Sequence, residues 1–172
     1  MTFFVKRNSG FSMIEVLIYI SVLVLVMFIV VNSILMMLSS YTAIKVSQKV
    51  NETASGILER ISLETKRSNG LALSGNVLNN DAGSINLNVV KDDGSIIEKK
   101  FWLDGTDLKM QEFGGEVFVL NIPGVEVERF FVNYVSAGSV NLIKIEMELH
   151  SQKKNVNKNE IFYISVVMRE SY

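Results

Sequence analysis

The chain has 172 residues, a formal net charge of −1, no cysteine and a single histidine, His150. Without cysteine there are no disulfides, zinc–thiolate sites, iron–sulfur clusters or cysteine nucleophiles, and one histidine cannot build a multi-histidine metal site. A charge so near zero gives no electrostatic reason to expect a nucleic-acid partner or an acidic substrate.

The length suits one compact domain plus an appendage. From Phe11 to Leu38 nearly every side chain is apolar. A helix over that run would be about 42 Å long, enough to cross a hydrocarbon core of about 30 Å. Lys6 and Arg7 precede the run, and nothing basic follows until Lys45. The positive-inside tendency therefore predicts a single-pass protein with its N-terminus cytoplasmic and its C-terminal body exported. A removable secretory signal is the rival reading. Its apolar region typically spans 7–15 residues and closes on a small-residue site; this run is about twice as long, and Asn32-Ser33-Ile34 is a poor substitute for such a site.

Glu15 lies one turn inside the apolar run. A carboxylate in a membrane segment is costly and is a functional hypothesis when it has a partner. Were the chain cut between Gly10 and Phe11, the new Phe11 α-ammonium would lie about one turn from Glu15, where the helix dipole also favours an anion. The plainer alternative is that Glu15 only reaches back to the headgroup layer.

The run from Lys6 to Ile18, Lys-Arg-Asn-Ser-Gly-Phe-Ser-Met-Ile-Glu-Val-Leu-Ile, resembles the processing signal of type IV prepilins and type II secretion pseudopilins. In that family a short basic leader ends in Gly, then come Phe, three mostly small or apolar residues, Glu, and a long apolar helix. The resemblance implies cleavage between Gly10 and Phe11 by a prepilin peptidase, N-methylation of Phe11 and subunit docking through Glu15. Lys6 and Arg7 would be the basic residues of the leader. Many major pilins carry a proline midway along the helix; here Asn32 stands at that place and the only proline is Pro123, which leans towards a minor subunit.

Beyond the membrane run, Val50, Ala54, Ile57, Leu58 and Ile61 recur at the spacing of one helical face, so the helix should continue. Gly56 should weaken it, Arg60 and Glu64 should pair on its exposed side, and Asn69-Gly70 should stop it. The expected organisation is a leader at 1–10, a helix at 11–69 (transmembrane to 38, amphipathic after) and an exported β-rich body at 70–172.

The body reads as strands. Ile85, Leu87 and Val89 alternate with Asn; Ile96 to Leu103 follows the turn signal Asp92-Asp93-Gly94-Ser95; Leu103-Asp104-Gly105-Thr106 turns into Leu108–Phe113, and Gly114-Gly115 into Glu116–Leu120. Val125 to Val135 changes phase, which predicts a bulge or bend near Arg129. Val140 to His150 alternates, Gln152 to Glu160 reads as a polar loop, and Phe162, Ile164, Val166 and Met168 mark a last strand. The fold class is α+β: a long N-terminal helix packed on a mainly antiparallel β-sheet body, the pilin arrangement.

No catalytic, metal or cofactor site is expected. The Asp-Gly segments have a sufficient role as turns, His150 ends a strand on its polar face, and Trp102, Phe130 and Phe131 read as core or strand-surface aromatics. Lys153, Lys154 and Lys158 read as a solvated face. The resemblance points to a non-enzymatic minor pilin or pseudopilin, most like the J-type subunits, that primes or caps a filament. Its partners would be other pilins, the prepilin peptidase/methyltransferase, an inner-membrane assembly platform and the bilayer. The alternatives are a signal-anchored exported binding module and an anchored hydrolase using His150.

Overall fold

The structure, a computed structural model, describes Gly10 and residues 12–137, 140–153 and 156–168. One helix, α1 (Met13–Arg67), precedes the strands β1 (Ser68–Leu71), β2 (Ser84–Val90), β3 (Ile96–Asp104), β4 (Asp107–Glu112), β5 (Val117–Val119), β6 (Glu126–Ala137), β7 (Val140–Lys153) and β8 (Val156–Val167). Two compact units divide between Tyr41 and Thr42.

In the first unit, residues 13–41 contain neither Gly nor Pro, and none of them is buried. Several polar side chains bond back to the helix. Ser21, Asn32 and Ser33 each donate to the carbonyl four residues earlier, at 2.8, 3.0 and 2.9 Å. That local bonding uses the one proton of each serine and one of the two amide protons of Asn32.

In the second unit the helix is amphipathic. Val46, Val50, Thr53, Ala54, Ile57, Ile61, Glu64 and Thr65 are its buried residues, at the three- and four-residue spacings of a single stripe. Gly56 falls on the exposed side, and the helix continues through it. The helix ends at Arg67, two residues before the expected stop. The reason is a competing partner for the backbone: β1 pairs with β2 (Ser68 opposite Val89, Leu71 opposite Leu87), and the Ser68 hydroxyl donates to the Thr65 carbonyl at 2.7 Å.

The body holds two antiparallel sheets where one was expected. The first runs β1-β2-β3-β4-β5 and the second β6-β7-β8. Ile85 and Leu87 of β2, Phe101 of β3 and Leu108 of β4 share one core with Phe130, Val132, Ile143, Ile145, Met147 and Leu149 of the second sheet and with the helix stripe. Residues 79–83 join the sheets. Asn79 and Gly83 donate to the Val132 and Phe130 carbonyls, each at 2.8 Å. A Cβ at Gly83 would lie 2.5 Å from Phe130 O, so only glycine permits this approach. The phase change in β6 is a register shift between Val127 and Arg129, the expected bulge.

Of the expected polar loop at Gln152–Glu160, residues 152–153 and 156–160 are instead strand, while Lys154 and Asn155 lie outside the described residues. Lys153 pairs with Val156, Ser151 with Lys158 and Leu149 with Glu160. None of residues 156–160 is buried, so no apolar alternation marks the strand. Backbone pairing carries it, with Asn159 donating to Glu148 at 2.7 Å.

Candidate functional site

The candidate site is the N-terminal entry of α1. Gly10 is exposed, and no other described residue comes within 4 Å of the position a Cβ would take. Lys6, Arg7 and Phe11 lie outside the described residues. Ser12 precedes the helix, and the Glu15 amide donates to the Ser12 carbonyl at 3.0 Å and to its hydroxyl at 3.3 Å. Ser12 is therefore the N-cap and Glu15 the third helical residue, in the Ser-x-x-Glu order of a capping box. This signal is legible in the sequence.

Among the described residues of this unit, Glu15 alone is half-buried and not fully exposed. The Tyr19 hydroxyl donates to its Oε1 at 3.1 Å. A hydroxyl one turn onward stabilises a carboxylate without adding charge to the membrane segment. Its other support is positional, since an acidic side chain in the first turn complements the helix dipole.

The body offers no rival centre of comparable definition. Among the described residues no three His, Asp or Glu side chains converge. Both Asp-Gly segments form hairpin turns: Asp93 accepts from the Ser95 amide at 2.8 Å and its hydroxyl at 2.6 Å, which holds its carboxyl below the usual range. Asp104 accepts from Lys109 at 2.6 Å. His150, expected to be solvated, is 19 % exposed at its side chain, with Nδ1 3.7 Å from Glu128 Oε1. The bulge in β6 sets Glu128 beside it.

A charged cluster lies where α1 meets the first sheet. Lys99 Nζ is 3.0 Å from Glu64 Oε1 and 2.9 Å from Glu112 Oε1. Arg60 Nε is 3.3 Å from the same Glu64 oxygen. The pair expected at the surface is thus half inside, because Glu64 is only 4 % exposed. Lys99 reaches it from β3 across the helix–sheet contact.

An apolar helix with an acidic, capped start, followed by an α+β body of pilin-like architecture, defines a membrane-anchored, single-pass protein. Residues 5–31 match the prokaryotic N-terminal methylation motif, and the chain carries a type IV pilin-like prepilin signal. No curated protein and no solved structure gives a significant match.

Proposed function

We propose that this protein is a minor pilin or pseudopilin. Its leader, Met1–Gly10, is removed between Gly10 and Phe11 by a prepilin peptidase, and Phe11 is N-methylated. The N-terminus faces the cytoplasm and the body is exported. The processed subunit docks with other pilins through α1, on an inner-membrane assembly platform, and primes or caps a type IV pilus-like or type II secretion filament. Its role is structural. Glu15 guides docking by meeting a Phe11 ammonium, its own or a neighbour's, while Tyr19 holds the carboxylate in place.

The observation that carries this reading is the methylation motif over residues 5–31, running without a break into an apolar helix that buries none of its first turns. Intact-mass measurement on protein from its native membrane tests it. The mature chain should lack Met1–Gly10 and carry one added methyl at Phe11. A mature N-terminus at Met1 would favour a signal-anchored binding module, and one beyond Asn32 would favour a removable signal peptide.

A further inference from the structure

At 100° per residue, Ser21, Leu25, Phe28, Asn32, Leu35 and Ser39 fall in one strip of α1, spaced four, three, four, three and four. All six are exposed. Glu15 lies about a third of a turn round the helix from this strip, so the strip is separate from the side of α1 that carries Glu15. Asn32 sits about 7.5 Å along the axis from the middle of the apolar run Val16–Leu38, well inside a core reaching about 15 Å either way. One amide proton of Asn32 goes to the Phe28 carbonyl at 3.0 Å. Among the described residues no further hydrogen bond is made by its oxygen or its second amide proton, and the residue is exposed. In hydrocarbon these two unmet groups are unfavourable. Ser21 and Ser39 have spent their protons on the Leu17 and Met36 carbonyls, each at 2.8 Å, and offer only small bulk.

We propose that this strip is a parallel, in-register interface with a second copy of the chain, in which the two Asn32 carboxamides hydrogen-bond to each other. The occupant follows from chemistry and depth. A carboxamide carries both a donor and an acceptor, so it is its own complement. Two copies anchored in one membrane with one orientation bring Asn32 to the same level without adjustment. A single Asn in a seam of 3.5-residue period selects register and two-strandedness. Small residues at Ser21 and Ser39 let the backbones approach near both ends, and the strip carries no charge to oppose pairing. The interface needs only the membrane-anchored helix; it does not depend on leader removal.

The lack of native cysteine makes the test direct. Single-cysteine full-length chains are expressed alone in membranes without other filament subunits and oxidised. Leu25→Cys, Phe28→Cys and Leu35→Cys should give disulfide-linked dimer. Leu23→Cys, Met27→Cys and Ile34→Cys, on the opposite side, should give at least about tenfold less. Adding Asn32→Val to Leu25→Cys should lower association by about three- to thirtyfold, and Asn32→Gln, which keeps the carboxamide, should lower it less. Equal yields on all sides, a maximum on another face, no dimer at all, or indifference to Asn32→Val would overturn the proposal.

Discussion

Val30 and Val50 belong to the same helix, yet one is 49 % exposed and the other fully buried. The contrast holds for the whole length of α1. Up to Tyr41 the helix is apolar all round with nothing buried; from Thr42 it is apolar along one stripe with that stripe covered by sheet. An all-round apolar helix cannot be stable as a water-facing surface, whereas a striped one needs only a single neighbouring face. So one backbone conformation serves two solvents, and side-chain pattern decides which. The first half has the length and composition of a membrane-spanning segment, and the second half is part of a globular core.

That comparison is most sharply tested by matched truncations. Ile57 is 1 % exposed and Ile29 is 54 % exposed. Ile57→Ala should destabilise the body by about 3–4 kcal/mol, through lost transfer energy and the cavity left behind. Ile29→Ala should change body stability by less than about 0.5 kcal/mol. Denaturant unfolding of the full chain in micelles, followed by the fluorescence of the sole tryptophan, Trp102 on β3, measures both. Similar losses at the two sites would mean that the halves do not stand in different surroundings.

Next in size is the ionic contact. Lys99→Met leaves the Glu64 carboxylate, 5 % exposed at its side chain, with Arg60 as its remaining cation. Removing one member of a buried pair typically costs 3–5 kcal/mol. We expect about 3 kcal/mol here, because Arg60 compensates in part. Adding Glu64→Gln to Lys99→Met should recover part of the loss, since it removes the stranded charge. If Lys99→Met alone proves neutral, the cluster is hydrated and does not clamp α1 to the first sheet.

The same contrast explains what could be read in advance. The apolar run, the stripe from Val50 to Ile61, the Asp-Gly turns and the bulge near Arg129 all write themselves into periodicity or turn chemistry, and each is present. Features set by pairing between distant segments left no such mark. Division into two sheets depends on β6 meeting residues 79–83, not β5. Residues 156–160 are strand because β7 pairs with them. Glu64 looks like a surface residue until Lys99, 35 positions away, is folded over it. At the N-terminal site Glu15 stood out by being charged among apolar neighbours, while Ser12 and Tyr19, which cap and hold it, are ordinary residue types whose roles depend on local geometry.

The smallest effect is one of pH, and it acts on one half alone. The Glu112 carboxyl is held below its ordinary value of 4.5, chiefly by the hydrogen bond from Lys99, with Lys91 and Arg60 adding to the attraction and burial opposing it. A carboxyl with a depressed folded-state pKa contributes stability that is fully present above its unfolded pKa, and loses it as pH falls through the folded value. Glu112 is 41 % exposed at its side chain, so solvent screens the pair and the swing is at most about 1 kcal/mol. Wild type should therefore exceed Glu112→Gln in stability by up to that amount at pH 7, and the gap should close as the pH is lowered from about 4.5 towards 3. Between Val16 and Tyr41 there is no acidic or basic side chain, so the helix signal of the first unit in micelles should stay constant over the same range. A gap that widened on acidification would reverse the assigned sign, and loss of the first unit's helix at low pH would show that the two halves of α1 do not respond independently.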